Sequence, residues 1–144
     1  MARAPGPVYA SWPLGRGGGL HPLHLGRPMA TTGAAARSLD ACVRDLGLER
    51  IDLVKLDVDG NELSVLSGGI ETLGRFRPVM IMEFALHLQA EGGPDRLPAL
   101  LSLLGSLGYR AETEGGMPVP LTPEGVRAHC PAGGSVDLVL MPTP

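Results

Sequence analysis

With 144 residues, 44% of them hydrophobic, the chain is long enough for one domain and apolar enough to fold. Its net charge of -3 gives no general attraction to phosphate backbones or anionic membranes, and 3% aromatic residues leave little to stack single-stranded bases, so neither nucleic acid nor membrane is an expected partner. Cys42 and Cys130 fit neither a disulfide framework nor a Cys-x-x-Cys metal site, which points to a reduced, cytoplasmic protein.

No apolar run approaches the roughly 18 residues of a membrane span, and the start has no hydrophobic signal region. Residues 1–37 form a Gly- and Pro-rich segment read as irregular. Arg3, Arg16, Arg27 and Arg37 precede the first acid, Asp40, but the Gly and Pro content opposes the amphipathic helix of an organelle transit peptide. Within this segment 7–12 reads as one short strand and 14–20 as a glycine-rich loop. His21 and His24 follow at a close spacing but lack an evident third metal ligand.

From Ser38 the pattern becomes regular, and residues 38–144 read as the folded domain. Ser38 is placed to cap a helix whose apolar stripe is Leu39, Cys42, Val43 and Leu46, with Asp40 in its first turn and Gly47 closing it. Leu53, Val54, Leu56 and Val58 predict a strand over 51–58, central and covered on both faces. Asp59-Gly60 breaks it, Asn61 caps the next helix, and Leu63, Leu66, Ile70 and Leu73 run on at helical spacing until Arg77-Pro78. A second buried strand covers 78–84, and Pro94 is placed at the first position of a leucine-striped helix ending at Gly108. Strands at 109–113 and 136–141 flank a Pro-rich segment in which Thr122-Pro123-Glu124 opens a helical turn. This alternation predicts an α/β fold, a parallel sheet with helices packed on it.

Ligands of open α/β sheets bind beyond the carboxyl ends of the strands, where Asp57, Asp59 and Glu62 lie on the first strand and Glu83 on the second. Crowded carboxylates require a metal, a cation or a shared proton. Asp57-Val-Asp59-Gly60 after an apolar strand resembles the opening of a haloacid-dehalogenase-type phosphatase, but no later Gly-Asp-x-x-x-Asp pair completes a magnesium site. An EF-hand fails because Gly60 stands fourth in the loop rather than sixth. A plain turn, with Asp57 capping a neighbour, stays open as the structural alternative. Lys55 is unusual inside a buried strand; unless its ammonium reaches Asp57 or another acid, it should face a crevice or a helix end. His87 is a candidate general base near neutrality, or simply a solvated loop residue.

The longer pattern is more specific. Ser38-Leu-Asp40, the segment Asp52-Leu-Val-Lys55-Leu-Asp57-Val-Asp59-Gly60-Asn-Glu62, Val65-Leu66-Ser-Gly68, Arg77-Pro-Val-Met-Ile-Met-Glu83 and Leu107-Gly-Tyr109 together resemble the FkbM-type S-adenosylmethionine-dependent methyltransferases. Lys55, Asp57, Gly60 and Glu62 match that family's Lys-x-Asp-x-Glu-Gly-x-Glu segment, with Asp59 in place of the usual Glu. The resemblance is specific from residue 38 to about 110.

It implies a Rossmann-like sheet corresponding to the second half of a class I methyltransferase, and methyl transfer to an oxygen of a small molecule such as a sugar or natural product. Asp57 would be the base, and Glu62 and Glu83 would orient the acceptor or hold a divalent metal. The glycine-rich turn and ribose-binding acid of such enzymes are not found, so S-adenosylmethionine is expected to bind only when the missing half is supplied. Hence a second reading, a non-catalytic remnant. On either, the first strand would lack a neighbour, and its exposed sheet edge must be covered by residues 7 to 37, by another copy or by water; self-association through that edge or poor solubility is expected.

Overall fold

Alternation of period two in the last strand, with Val136, Leu138 and Leu140 apolar between Ser135, Asp137 and Val139, is the local signal of a sheet buried on one face only. A computed structural model describes residues 8–10, 19–24 and 26–144, which fall into two compact units, residues 1–37 and 38–144. In the first unit, β1 (Val8–Ala10) pairs antiparallel with β2 (Arg27–Met29), a hairpin inside the segment expected to be irregular. Ser11, Trp12 and the glycine-rich stretch at 14–18 lie outside the described residues.

The second unit runs α1 (Leu39–Leu46), β3 (Leu53–Leu56), α2 (Glu62–Ser67), α3 (Ile70–Phe76), β4 (Val79–Ala85), a 3-10 turn (Leu86–Leu88), α4 (Leu97–Ser106), β5 (Tyr109–Glu112), β6 (Pro118–Val119), α5 (Pro123–Arg127) and β7 (Ser135–Pro142). Its five-stranded sheet has the order β3-β4-β7-β5-β6. The α/β class holds, but the sheet is mixed. β3 and β4 are parallel, whereas β7 is antiparallel to both β4 and β5 between which it lies. The connection into β7 carries only the five-residue α5, too little helix to lie across the sheet and return the chain in parallel.

One face of the sheet is the core. Leu56, Met80, Met82, Phe84, Tyr109, Ala111, Leu138 and Leu140 are buried there with Leu97, Leu100, Leu101 and Leu104 of α4. The opposite face stays open, with Leu53 57% exposed, Lys55 and Asp137 exposed, and Ile81, Glu83 and Val139 half-buried. Among the described residues β3 is thus an edge strand with one open face, not the doubly covered central strand that its apolar run predicts. That run reads as uniformly buried because Leu53 sits on the open face while Val54 and Leu56 sit on the other.

The caps account for several boundaries. Ser38 Oγ accepts the Ala41 N–H at 3.2 Å, and Gly47 closes α1 at φ 61°. The single helix expected after β3 is two helices broken at Gly68-Gly69. A Cβ on Gly69 would lie 2.8 Å from Leu39 Cδ2, so the break lets α1 approach closely. Asp40 fixes the junction, accepting the Thr72 N–H at 2.8 Å and the Glu71 N–H at 3.3 Å at the start of α3. The Ser-Leu-Asp sequence therefore caps two helices, its own and one some thirty residues on. Asn61 does not cap α2; its amide turns back and donates to the Val58 carbonyl. Pro94 precedes α4, which begins at Leu97 with Pro98 in its first turn and Asp95 accepting the Leu97 N–H.

Candidate active site

Because β3 and β4 are parallel and in register, with Leu56 beside Met82, their carboxyl ends emerge together. After Leu56 the chain turns through Asp59 at φ 50° and Gly60 at φ 87°. Only glycine fits at position 60, where a Cβ would come within 2.9 Å of both Leu88 Cβ and Leu88 O. The turn is thereby pressed against the segment that follows β4, so two loops distant in sequence meet.

That meeting brings carboxylates together. Asp57, Asp59 and Glu83 each place an oxygen within 4.8 Å of the others, Glu83 half-buried and both aspartates exposed. The antiparallel β7 adds two more side chains, since its amino end lies beside the carboxyl end of β4 and sets Asp137 opposite Glu83. Ser135 Oγ donates to Glu83 Oε1 at 2.6 Å. Lys55 reaches across the open face, its Nζ 3.0 Å from Asp137 Oδ1 and 3.7 Å from Asp57 Oδ2.

The charges tune one another. The Ser135 hydrogen bond favours ionised Glu83 most strongly, but burial together with the Asp57 and Asp137 carboxylates outweighs it and holds the Glu83 pKa above its ordinary value. The hydrogen bond to Asp137, aided by the charges of Asp137, Asp57 and Glu83, raises the pKa of Lys55 against its slight burial. Asp57 and Glu83 form a carboxyl pair able to share a proton, with an ammonium at its border. The three converging carboxylates are also oxygen donors of the kind that hold a hard divalent cation. A cavity of about 370 Å³ beside them is lined by Thr113, Glu114, Gly115, Ser135, Val136 and Asp137.

Glu62 is not among the converging acids. Its side chain is fully buried, Oε1 accepting the Gly60 N–H at 3.0 Å and Oε2 the Gln89 amide at 2.9 Å. Sequence alone places it at the mouth of the site; the structure turns it inward, where it clamps the Asp59-Gly60 turn to the loop after β4. The His87 ring lies 3.3 Å from the Gly134 carbonyl through Nδ1, which donates to it. His21 Nδ1 accepts the backbone N–H groups of Leu23 and His24 at 3.3 Å, so it serves a local turn in the first unit.

The sequence pattern alone does not mark Ser135, Asp137 or Gln89 as site residues. Period-two alternation does place Ser135 and Asp137 on one face, but only the antiparallel register brings that face to Glu83. Gln89 carries no local signal at all. No curated protein and no solved structure matches the chain. Residues 9–111, more than half of the chain, match the Methyltransferase FkbM domain, and with its Lys-x-Asp-x-Asp-Gly-x-Glu turn at the end of β3 the chain belongs to that methyltransferase family.

Proposed function

We propose that this chain serves S-adenosylmethionine-dependent methyl transfer to an oxygen of a small hydroxylated molecule, such as a sugar or natural product. The observation carrying this reading is the meeting of Asp57 and Glu83 on one face at the carboxyl ends of two adjacent parallel strands, within a chain of the FkbM family. Family membership favours methyl transfer over the phosphatase chemistry that Asp57-Val-Asp59-Gly60 also resembles. A Rossmann-like class I sheet, of which this unit would form the second half, accords with β3 and β4 in parallel and with β3 standing at an edge.

Asp57 takes the proton of the acceptor hydroxyl. Glu83, kept more readily protonated than an ordinary glutamate, hydrogen-bonds Asp57 and orients it, while Lys55 holds Asp57 and Asp137 in place. A divalent cation on Asp57, Asp59 and Glu83 is the other means by which these residues lower the proton affinity of a hydroxyl. Glu62 acts on the turn, not on the acceptor.

When bound, the cofactor supplies an electrophilic methyl group. Among the described residues of this unit no glycine-rich strand-to-helix turn forms a cradle for it. The turn after β3 is already filled, with Gly60 against Leu88 and Glu62 on the Gly60 N–H. Cofactor contacts are accordingly assigned to no residue of this unit, and the chain alone is expected to bind S-adenosylmethionine weakly.

With a cofactor-binding methyltransferase half supplied, the test measures transfer of labelled methyl from S-adenosylmethionine to a panel of hydroxylated small molecules, with and without a metal chelator, alongside calorimetric titration of the cofactor. Asp57→Asn should lower turnover on the order of a hundredfold or more while leaving cofactor affinity unchanged. Undiminished turnover in that variant would remove Asp57 from the role. A cooperatively folded chain that shows neither turnover nor cofactor binding after that half is supplied would favour the second reading, a non-catalytic module.

A further inference from the structure

The strand register carries the acids of the site further across the sheet. Leu56 lies beside Met82, so one residue on Asp57 comes level with Glu83, and Asp137 lies directly opposite Glu83. Glu112 lies opposite Val139 where β5 meets β7, so two residues on Glu114 comes level with Asp137. Residues level with one another across a sheet share a face, and Asp57, Glu83, Asp137 and Glu114 form one rung. The rung ends in the cavity of about 370 Å³, whose wall includes Thr113, Glu114, Ser135 and Asp137. All of these residues belong to the second unit, and β5 stands three places from β3 in the sheet order.

The charges along this rung are unequal. Strands β3 to β7 carry two cations, Lys55 and Arg110. Arg110 is engaged by Glu112 at 2.7 Å, and Lys55 is shared between Asp137 at 3.0 Å and Asp57 at 3.7 Å. Glu114 is exposed and has neither a hydrogen-bond nor an ion-pair partner for its side chain among the described residues. Its turn is nevertheless fixed. The Thr113 N–H donates to the Met117 carbonyl at 2.8 Å, and Thr113 Oγ1 accepts the Met117 N–H at 3.2 Å. No lysine, arginine or histidine lines the cavity. An entering anion therefore meets carboxylates without a free counter-ion, whereas an entering cation supplies Glu114 with a partner.

We propose that this cavity is the subsite of the acceptor, and that Glu114 selects an acceptor bearing a positive charge, a hydroxylated amine of the amino-sugar class. The inference rests on the reading of Asp57 as the group that takes the hydroxyl proton. The hydroxyl end of the acceptor lies at Asp57 and Glu83, and its ammonium at Glu114 and Asp137. Three strand spacings put the ends of the rung about 14 Å apart, which side chains reaching inward shorten to the span of one or two sugar rings. The same rung turns away phosphorylated sugars and sugar acids.

The full chain is to be titrated with glucosamine, N-acetylglucosamine and glucuronate, followed by amide shifts in nuclear magnetic resonance. These sugars carry respectively a charged amine, a capped amine and a carboxylate. Glucosamine should move the amides of 113–115 and 135–137 and bind about fivefold tighter than N-acetylglucosamine, as one exposed ion pair allows; glucuronate should not bind. Glu114→Gln should abolish the preference, and Glu114→Lys should reverse it in favour of glucuronate, both with an unchanged thermal transition. Equal affinity for the first two sugars overturns the proposal. So do glucosamine binding that ignores both substitutions, shifts confined to other parts of the chain, and no binding of glucosamine at all. With a cofactor-binding half supplied, glucosamine bound at Glu114 without methyl transfer leaves the cation subsite standing and removes the transfer reading. Transfer that is equal for glucosamine and N-acetylglucosamine and unmoved by Glu114→Gln does the reverse.

Discussion

Glu62 offers the sharpest separation of a structural from a catalytic acid, because its two obvious substitutions predict opposite outcomes. Its carboxylate has no exposed surface and receives two hydrogen bonds, from Gly60 N–H at 3.0 Å and the Gln89 amide at 2.9 Å. Glu62→Ala strands both donors in the interior. At about 1.5–3 kcal/mol for each bond to a charged acceptor, the loss comes to roughly 3–6 kcal/mol. For a unit of about 100 residues that lowers Tm by about 15–30 °C. Glu62→Gln keeps the shape and removes the charge. Its carbonyl still accepts from Gly60, and its amide needs an acceptor where Glu62 needed a donor. Gln89 Oε1 is buried without a hydrogen-bond partner, so turning the Gln89 amide over supplies that acceptor. Two neutral side-chain amides replace a buried charge, and stability should stay within about 1 kcal/mol of the original. Urea denaturation with matched thermal melts measures both variants. If Glu62→Gln destabilises as much as Glu62→Ala, the negative charge itself is required, and Glu62 belongs with the site acids rather than with the clamp.

Two further outcomes follow from the site and the helix junction. Glu83 has a folded pKa above its ordinary value of 4.5, so its contribution to stability is fully present below that value and is lost as pH rises through the raised one. Asp57→Asn withdraws a carboxylate that raises it, so the fall of Tm with pH should flatten; a steeper fall would contradict the assigned cause. Asp40→Ala removes the acceptor for the Thr72 and Glu71 N–H groups and should cost about 1 kcal/mol, read as a lower midpoint with an unchanged slope in urea. Burial opposes ionisation of Asp40, but its hydrogen bonds to Thr72 and Glu71 and the nearby Arg44 outweigh burial and lower its pKa. Its stabilising effect is present above the ordinary aspartate value and lost as pH falls through the lowered one, a loss the alanine variant should not show.

Where the controlling interaction lies within a few residues, the sequence is a good guide. Ser38, Gly47, Thr122 and Arg77-Pro78 act locally, and each ends or begins a helix where its chemistry requires. The parallel pairing of 51–58 with 78–84 was also legible, because a strand, a helix and a second strand in succession leave few other arrangements. Strand direction at the end of the chain was not, since period-two alternation is identical in parallel and antiparallel strands. The edge position of β3 in the described sheet follows only from the resemblance, which leaves the first strand without a neighbour; from its apolar run alone Leu53 reads as core.

The same reasoning explains why one short motif splits into two tasks. Lys55 and Asp57 stand two residues apart on an extended chain, so both project onto the open face, where they meet Asp137 and Glu83. The left-handed turn at Asp59 and Gly60 then reverses the geometry, and the next acid, Glu62, faces the core. A linear pattern of charges conveys neither the reversal nor the inward partner, Gln89, which lies 27 residues further on. The inward acid is what gives the outward ones a fixed position. Glu62 ties the β3 turn to the loop leaving β4, and those two loops carry Asp57 and follow Glu83 respectively. Position 62 therefore serves a purpose distinct from acid–base chemistry, holding the turn by its hydrogen bonds to Gly60 and Gln89. Substitutions there should register first in stability and in the relative placement of Asp57 and Glu83, and only through that placement in any transfer reaction.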